Sequence, residues 1–419
     1  MRFIDLKPNL LVTTSTLPNR PDDPEPRFVL DLAIGLSRHF EVCVLAPRNP
    51  GARLNDEFEG VEIRRYPYAP LGSWETLTYP GASLERLRQW PGRWALVPLL
   101  AAGLYRATRR LLAERNFTCV HAHWLVPQAA VQSLAPSGRS RTPYIAIAHG
   151  ADVHAMNGAF ANAILRRTVR RAAGVVSASR RLNETLLCRF PSEMAARPTA
   201  IIGTGVDAEK FSPALRAEDW SAAHGVSRPV ILYVGRLSEK KGVEFLLTAM
   251  AREPLRAMKA SLVIIGRGPL EDRLHGLCRE LDLGHRVRFL PPCDHATLGA
   301  HIAAADVLCL PSVVTSDGDQ EGRPTVLVEA ASCGVPAVAS DVGGVRDWID
   351  HGRNGLLIPP RDPQALARGL AGLLRQPENV RLMGEAARTK ALETSWSAVA
   401  DRYAEFTQQA VAWHSQRRN

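Results

Sequence analysis

The first half of the chain alternates between short apolar runs and segments with helical spacing of apolar residues. Six runs have the length and composition of buried strands: 9–15, 41–48, 61–68, 119–123, 144–150 and 174–180. Segments 28–40 and 95–115 repeat their apolar residues with the period of a helix. Strands that alternate with helices predict an α/β domain with a parallel sheet, in which function gathers at the carboxyl ends of the strands.

The same pattern restarts after a break near residues 211–220. Six further apolar runs predict a second set of strands: 229–236, 261–268, 287–292, 306–312, 336–342 and 355–360. A chain of 419 residues also exceeds one ordinary hydrophobic core. We therefore predict two α/β domains, residues 1–212 and 213–394, followed by an amphipathic helix at 395–416 that completes the second domain or crosses back to the first.

Composition indicates a soluble protein of a reducing compartment. Apolar residues make up 46% of the chain and charged residues 22%, and no apolar run is long enough to span a membrane. Asp5, Lys7 and Pro8 stand where a secretion signal needs a clean apolar region. The seven cysteines are odd in number and form no C-x-x-C pair, which argues against disulfides and structural zinc. We expect a cytoplasmic location.

Positive charge is concentrated in the first half of the chain. Residues 1–212 contain 27 basic and 18 acidic residues, whereas residues 213–394 contain 22 of each. Segment Arg86–Arg115 has seven arginines and one acid, interleaved with Trp90 and Trp94. This pattern predicts a basic amphipathic helix on an anionic membrane surface, the alternative being a helix that packs on the sheet with solvated arginines. No recognition motif supports nucleic-acid binding.

Two glutamates stand eight residues apart in the stretch EGRPTVLVE, residues 321–329. Pro324 suits the first turn of a helix, so Glu321 is predicted in the preceding loop and Glu329 about two turns inside the helix. Eight helical residues turn roughly 80° around the axis, so the carboxylates would contact different parts of one ligand. Backbone N–H groups of residues 323–326 provide an anion site between them. A nucleotide sugar fits this order of groups; the alternative is that both glutamates are inert.

Two cations and several glycines follow other predicted strands of the second half. Arg236 and Lys241 lie directly after the strand at 229–236, and Gly242 begins the next helix. Arginine as a fork and lysine as a point charge suit a diphosphate, although most such cations are solvated surface groups. Glycines also occur at the predicted turn in IGRGPLED (265–272) and as a pair at a strand end in SDVGGVRD (340–347). A lone G-x-G is, however, weak evidence for a nucleotide.

Together these segments resemble glycosyltransferase family 4, over almost the whole chain. The stretches that carry the resemblance are GTGVD (203–207) with Phe211, GRLSEKKG, EGRPTVLVEAASCGVPAVAS and GGVRDWIDHGRNGLLIPPRDP. The resemblance implies a GT-B fold, with two Rossmann-like α/β domains facing across a cleft. The first domain would bind the acceptor and the second the donor, and the C-terminal helix at 395–419 would pack on the first.

The resemblance also implies roles for individual residues. His149 would lie near the transferred sugar, and Glu321 would contact the hydroxyls of that sugar. The donor-binding set would be Arg236, Lys241, Gly322, Arg323, Pro324, Thr325, Val326 and Glu329. Within it, Arg236 and Lys241 would bind the diphosphate and Glu329 the ribose. The family retains anomeric configuration and needs neither a metal nor a cofactor.

The expected function is transfer of a sugar from a nucleotide diphosphate sugar to a hydroxyl acceptor. A UDP-sugar ranks first as donor and GDP-mannose second. The expected acceptor is a glycan on a lipid carrier, in bacterial surface polysaccharide or glycolipid synthesis at the inner face of the cytoplasmic membrane. One departure concerns residues 14–29, which contain four prolines and no glycine where many relatives have a Gly-Gly loop.

Two alternatives belong to other functional classes. His121, His123 and His149 come at the ends of successive predicted strands, and H-x-H at a strand end is a common start to a metal site. A metal-dependent hydrolase is therefore one alternative, with a structural role for His121 and His123 as the competing explanation. A non-catalytic partner subunit is the other, although every expected polar position is occupied in this chain.

Overall fold

The computed structural model describes residues 7–20, 23, 25–79, 86–87, 90–134, 142–316, 318–321 and 324–417. The chain divides into two compact units, one comprising Met1–Gly203 with Trp396–Asn419 and the other Thr204–Ser395. Residues 204–212, which the sequence pattern put in the first domain, belong to the second. Val206 forms a bridge with Ser395, and Phe211 is buried in the core of the second unit.

The described part of the first unit contains an eight-stranded sheet. Its strands are β1 (Asn9–Thr13), β2 (Glu41–Pro47), β3 (Asn55–Phe58), β4 (Val61–Tyr66), β5 (Cys119–His123), β6 (Tyr144–Ala148), β7 (Gly174–Ser177) and β8 (Thr199–Ile201). The order across the sheet is β3-β4-β2-β1-β5-β6-β7-β8, and all pairs are parallel except β3 with β4. The sequence pattern missed β3 and β8, which are short and poor in buried residues.

Helices cover both faces of this sheet. They are α1 (Phe28–Leu36), α2 (Leu96–Glu114), α3 (Ala130–Ser133), α4 (Ala151–His154), α5 (Ala159–Arg171), α6 (Arg180–Arg189) and α7 (Pro191–Ala195). Leu100, Leu104 and Leu111 of α2 are buried in the core of the first unit. Helix α2 therefore packs its apolar face on the sheet, as the alternative expected, while Leu99, Arg109 and Arg110 are among its exposed residues. Attachment of this segment to a membrane stays a prediction.

The C-terminal helix packs on the first unit, as predicted. The two cores of the second unit do not contain it; Val399, Tyr403 and Phe406 instead join a core that includes residues of β1 and α1. This helix is the last of the chain, Trp396–Gln416. A Cβ atom on Gly35 of α1 would lie 2.9 Å from that of Ala400, so the missing side chain allows the two helices their close approach.

The second unit contains a six-stranded parallel sheet. Its strands are β9 (Val230–Val234), β10 (Ser261–Ile265), β11 (Val287–Leu290), β12 (Val307–Leu310), β13 (Ala337–Ser340) and β14 (Gly355–Ile358). Its helices are α8 (Trp220–Ala223), α9 (Val243–Met250), α10 (Glu271–Glu280), α11 (His295–Ala304), α12 (Thr325–Ser332), α13 (Pro363–Leu374) and α14 (Pro377–Leu392), which makes the last helix of the chain α15. The predicted strands all occur here, each shortened at one or both ends.

Both sheets have the topology of a dinucleotide-binding fold. The order β11-β10-β9-β12-β13-β14 reverses direction between β9 and β12, and the first sheet reverses in the same way between β1 and β5. Ligands of open α/β sheets bind at the carboxyl ends of the strands beside such a reversal. Among the described residues, no helix has the length and apolarity needed to cross a bilayer.

Candidate functional site

Glycines fix the turns that follow β9 and β10. Gly235 and Gly266 have φ angles of +153° and +150°, and a Cβ atom on Gly266 would lie 2.0 Å from the carbonyl oxygen of Gly235. The backbone N–H of Leu237 also donates to the carbonyl of Arg267 at 2.9 Å. Arg236 therefore projects from a turn that is locked against its neighbour, and its side chain is half-buried at the strand end.

A second close backbone contact joins the turn after β9 to the segment after β12. Gly242, with φ of +63°, begins α9, and a Cβ atom there would lie 2.1 Å from the carbonyl oxygen of Pro311. The N–H of Val313 donates to the carbonyl of Lys240 at 2.8 Å. These contacts cross the point at which strand order reverses, and they place Lys241 beside residues that follow β12.

Lys241 and Glu321 form a buried ion pair at this point. Nζ of Lys241 lies 2.6 Å from Oε1 of Glu321, which also accepts from Oγ of Ser312 at 3.3 Å. Burial by itself would raise the pKa of Glu321, but the charges of Lys241 and Lys240 outweigh it, so the pKa is lowered and the carboxylate is ionised. The sequence predicted both residues as ligand groups but gave no sign that they contact each other.

The turn after β13 positions the backbone of Glu321. Gly343 has φ of +53°, and a Cβ atom there would lie 1.9 Å from the carbonyl oxygen of Glu321. The N–H of Gly344 donates to the same oxygen at 3.2 Å. The glycine pair noted in the sequence therefore supports the loop that carries Glu321, which is a role that spacing alone did not indicate.

Helix α12 begins as predicted, directly after Pro324. Its N-cap residue, Pro324, makes no side-chain capping hydrogen bond to the described residues, and the N–H groups of Thr325 and Val326 in the first turn have no intrahelical acceptor. Glu329 is buried and is the fifth residue of the helix, which places it about one turn inside rather than the two turns predicted. Gly322 and Arg323 lie outside the described residues. Gly334, with φ of +72°, follows the helix end.

In the first unit, His149 follows β6 and contacts His123 at the end of β5. Nδ1 of His123 lies 3.0 Å from Nε2 of His149, and the two rings meet edge to edge, with centroids 5.2 Å apart and an interplanar angle of 17°. Trp124 and Phe28 contact the His149 ring as well, with centroid distances of 4.7 Å and 5.3 Å. Sequence reasoning missed Phe28, because nothing in its local pattern distinguishes it from other apolar residues of α1.

Asp152 joins the loops that follow β5 and β6. Its buried carboxylate accepts from the N–H of Leu125 at 2.6 Å, of Gly150 at 2.8 Å and of His149 at 3.1 Å. In the sequence, this region was interpreted through its histidines, either as a metal site or as a group near the transferred sugar. An aspartate shortly after a glycine turn is, however, a residue type that often binds nearby backbone N–H groups, and this signal was available.

The histidines do not gather as the metal-site alternative required. Nε2 of His121 contacts Oγ1 of Thr407 in α15 at 2.8 Å, whereas His123 pairs with His149. Within the described ranges, no group of three His, Cys, Asp or Glu side chains is arranged to bind a metal ion. Burial lowers the pKa of His121 to about 3 and the pKa values of His123 and His149 also fall, so all three rings are neutral at pH 7.

The two strand-end clusters can perform different chemistry. In the second unit, Arg236, Lys241 and the first turn of α12 provide cations and N–H donors, which suit phosphate oxygens. Glu321 provides an ionised acceptor, which suits hydroxyl groups. In the first unit, neutral imidazole and indole rings offer polar edges and apolar faces without net charge.

Known proteins match both units. The model of the family described as Glycosyltransferase Family 4 matches residues 26–210, and that described as Glycosyl transferases group 1 matches residues 216–390. A GDP-mannose-dependent alpha-(1-6)-phosphatidylinositol monomannoside mannosyltransferase of Mycobacterium tuberculosis is 30% identical, covering 71% of this chain and 77% of its own. A D-inositol 3-phosphate glycosyltransferase of Kineococcus radiotolerans is 30% identical, covering 92% and 90%.

Solved structures match the fold over nearly the whole length. A sucrose-phosphate synthase from Thermosynechococcus elongatus superimposes with a TM-score of 0.77 at 23% identity, covering 97% of this chain and 100% of that chain. The predicted GT-B class is therefore confirmed. Both family models match, and the relatives align over most of their length. The chain therefore belongs to glycosyltransferase family 4 and is a glycosyltransferase that uses a nucleotide-sugar donor.

Proposed function

We propose that this enzyme transfers a sugar from a nucleotide diphosphate sugar to a hydroxyl of a lipid-linked glycan, with retention of anomeric configuration. The observation that carries the proposal is the Lys241–Glu321 pair beside the N-terminus of α12. This arrangement combines groups for a diphosphate with a group for hydroxyls at the reversal point of a dinucleotide-binding sheet.

Each charged residue of the predicted site in the second unit has a proposed partner on the donor. Arg236, Lys241 and the N–H groups of the first turn of α12 bind the diphosphate, and Glu329 binds the ribose hydroxyls. Glu321 accepts from hydroxyls of the transferred sugar. Because Lys241 lies 2.6 Å from Glu321 in the structure, donor binding redistributes this pair. The diphosphate takes the ammonium group, and the sugar hydroxyls take the carboxylate oxygens.

The proposed reaction needs no proton from the second unit. The bond between the anomeric carbon and the diphosphate oxygen breaks, and the bonding electron pair leaves with that oxygen. The acceptor hydroxyl oxygen bonds to the anomeric carbon on the same face, and its proton passes to the departing phosphate oxygen. Arg236, Lys241 and the helix N–H groups stabilise the negative charge that develops on the diphosphate, and we propose that they do so without a metal ion.

His149 is proposed to contact the transferred sugar from the first unit. Its ring is neutral at pH 7 because burial lowers its pKa, so it acts as a hydrogen-bonding group rather than as a cation. A neutral ring also does not repel the oxocarbenium-like sugar of the transition state, which carries partial positive charge.

GDP-mannose is the first donor to test. The mycobacterial relatives with names that specify a donor are GDP-mannose-dependent, which places this donor ahead of the UDP-sugars that the sequence analysis ranked first. The experiment incubates the enzyme with GDP-mannose or UDP-glucose and a mannosylated phosphatidylinositol acceptor, with and without EDTA. Proton NMR of the product reports its anomeric configuration. An α-linked product that forms equally in EDTA supports the proposal; an inverted product, or a requirement for added metal, contradicts it.

We also propose that the first unit docks on an anionic membrane, through exposed residues at the start of the Arg86–Arg115 segment and at residues 71–74 rather than through the apolar face of α2. Leu71, Trp74, Trp90 and Trp94 have exposed fractions of 54%, 54%, 65% and 56%, and we name them the tryptophan patch. Nη1 of Arg86 donates to the carbonyl of Thr76 at 2.7 Å and so joins the two segments that carry the patch. Exposed tryptophans flanked by arginines suit the interface of an anionic bilayer, where a lipid-linked acceptor is found.

Vesicle co-sedimentation tests the docking surface. Wild-type protein is compared with the Trp90→Ser, Trp94→Ser double variant on vesicles with and without anionic phosphatidylglycerol. Phe160→Ser is the matched control, because Phe160 is 82% exposed but lies outside the tryptophan patch. We expect binding to anionic vesicles that is lost in the double variant and kept in the control. Equal binding by all three proteins would contradict the proposed surface.

A further inference from the structure

His123 and His149 share one hydrogen bond for which each ring supplies one nitrogen. Nδ1 of His123 and Nε2 of His149 lie 3.0 Å apart, so only one of these two atoms can have a proton. Both rings are neutral at pH 7, because burial lowers both pKa values. Each neutral imidazole has one N–H and one lone pair. The tautomer of one ring therefore determines the tautomer of the other.

The far nitrogen of His123 decides between the two arrangements. His123 is 1% exposed, and its Nε2 has no hydrogen-bond partner among the described residues. A proton on Nε2 would be a buried N–H without an acceptor, and such groups are rarer in proteins than under-satisfied acceptors. The proton of His123 is therefore placed on Nδ1, from which it is donated to Nε2 of His149.

The consequence appears on the other side of the His149 ring. With Nε2 of His149 acting as acceptor, its own proton lies on Nδ1. Among the described residues, no side chain forms a hydrogen bond with Nδ1 of His149, and the His149 side chain is only half-buried. The ring thus presents an N–H donor rather than a lone pair. In water the Nε2–H tautomer of a histidine side chain is favoured, so the protein must select the Nδ1–H tautomer.

We propose that His123 is a positioning residue that fixes His149 as the Nδ1–H tautomer, so that His149 donates a hydrogen bond to an oxygen of the donor sugar. The role toward the sugar rests on the proposed function, whereas the tautomer does not depend on it. Contacts with Trp124 and Phe28 keep the ring in one plane, and three N–H bonds to Asp152 keep its loop in place. The hydrogen bond with His123 is then the contact that distinguishes Nδ1 from Nε2 in the His149 ring.

Long-range proton–nitrogen NMR spectra of protein labelled with ¹⁵N-histidine test the tautomer directly. In such spectra the protonated and unprotonated ring nitrogens differ in shift and in coupling pattern. The signals of His149 are assigned by their loss in His149→Gln. We expect the Nδ1–H form of His149 in the wild-type protein at neutral pH. The Nε2–H form in the wild-type protein would overturn the proposal.

Two substitutions of His123 separate its hydrogen bond from its volume. His123→Asn keeps an N–H donor near the position of Nδ1 and should leave His149 as the Nδ1–H tautomer. His123→Leu removes the donor and should shift His149 toward Nε2–H. His121→Leu is the matched control, because His121 is also buried in β5 but contacts Thr407 instead. A change of the His149 tautomer in the control, or no change in His123→Leu, would contradict the proposal.

Steady-state kinetics distinguish loss of the His123 hydrogen bond from loss of packing around His123. We expect kcat to fall about 10- to 100-fold in His123→Leu, the range known for loss of the hydrogen-bond partner of a metal-ligating histidine, and to recover mostly in His123→Asn. The KM for the donor should change little, because the diphosphate contacts lie in the second unit. If neither variant nor wild type transfers sugar, the proposed function fails while the NMR result still tests the tautomer. Equal kcat values in wild type and His123→Leu would overturn the positioning role.

Discussion

The strand-end clusters of the two units occupy equivalent places in similar sheets and differ in chemical character. In the second unit the cluster is charged, with Lys241 and Glu321 in contact and Lys240 beside Asp319. In the first unit the histidine rings are neutral, because burial lowers the pKa values of His123 and His149, and the carboxylate of Asp152 is bonded to backbone N–H groups. One sheet topology therefore supports two kinds of recognition, and the residues just beyond each strand decide which.

The backbone of the turns differs along with the charge. In the second unit, Gly242, Gly266 and Gly343 each have a positive φ and a carbonyl oxygen within 2.1 Å of the position a Cβ atom would take. Such contacts bring N–H groups close together around a polyanion. In the first unit, the loops are joined by the carboxylate of Asp152 instead. Close contacts between backbone segments thus shape the charged cluster, and hydrogen bonds of a side chain shape the neutral cluster.

Replacing Glu321 should separate sugar transfer from nucleotide binding. In Glu321→Ala we expect kcat to fall about 10²- to 10³-fold, because the change removes the ionised group that we propose to contact the transferred sugar. Affinity for GDP or UDP should stay equal or rise, because Lys241 loses its present partner and remains available to the diphosphate. Calorimetric titration together with a transfer assay measures both effects. Loss of nucleotide binding along with transfer would contradict the division of roles.

Replacing Lys241 should have the opposite pattern. In Lys241→Met we expect the Kd for the nucleotide diphosphate to rise about 10- to 100-fold, the effect of one hydrogen bond to a charged group. Lys259→Met is the matched control, since Lys259 is exposed and precedes β10 at the opposite edge of the same sheet. Equal losses in both variants would show general charge attraction rather than a specific contact.

Gly343→Ala tests whether backbone approach shapes the charged cluster. A Cβ atom would lie 1.9 Å from the carbonyl oxygen of Glu321, so the loop must shift. We expect transfer to fall about tenfold, because displacement of a positioned group by a fraction of an ångström is costly. Gly352→Ala is the control: Gly352 has a similar φ of +81° but no neighbour within 4 Å of the added atom. Equal activity losses would assign the effect to backbone strain alone.

Acid should weaken the first unit in a pH range that leaves the charged cluster intact. Buried histidines with lowered pKa values bind protons less well in the folded state than in the unfolded state. The stability that they provide is therefore complete above about pH 6.5 and is lost below it, by about 1.4 kcal/mol per pH unit for each such group. Glu321, with its pKa also lowered, loses its contribution only below about pH 4.5.

Thermal unfolding of His121→Leu measures this effect most simply. His121 is fully buried and its pKa falls to about 3, whereas leucine does not titrate. We expect the variant to be less stable than wild type at pH 7, because its contact with Thr407 is lost. Its Tm should, however, decrease less between pH 7 and about pH 5.5. Parallel decreases in Tm for the two proteins would contradict a neutral buried histidine.

The sequence predicted the elements and the charged cluster better than the contacts within them. Apolar runs identified twelve strands, because a buried strand needs a continuous run of such residues. The edge strand β3 escaped, since an edge strand with one buried side chain leaves little pattern. Arg236 and Lys241 were predicted because they are cations directly after a strand, and Glu321 because of its spacing from Glu329. Their mutual contact was not, because residues 80 positions apart meet only through the order of the strands.

The neutral cluster shows the same limit more strongly. His149 was named through family resemblance, whereas Phe28, Trp124 and Asp152 had no assigned role there. Their function depends on neighbours from other loops, and each is an ordinary residue in its own segment. The packing of α2 shows the same limit: its amphipathic spacing fits a bilayer surface as well as a sheet, and only the fold shows that Leu104 faces the core.

The central claim is that the charged cluster of the second unit binds the diphosphate of the donor, and a thermal-shift titration tests it most directly. Wild type, Lys241→Met and Lys259→Met are heated with GDP, UDP or ADP, in the presence of EDTA. A nucleotide at a hundred times its Kd should stabilise wild type and Lys259→Met by roughly 2.7 kcal/mol and Lys241→Met far less. Equal stabilisation of all three proteins, or none without metal, would contradict the claim.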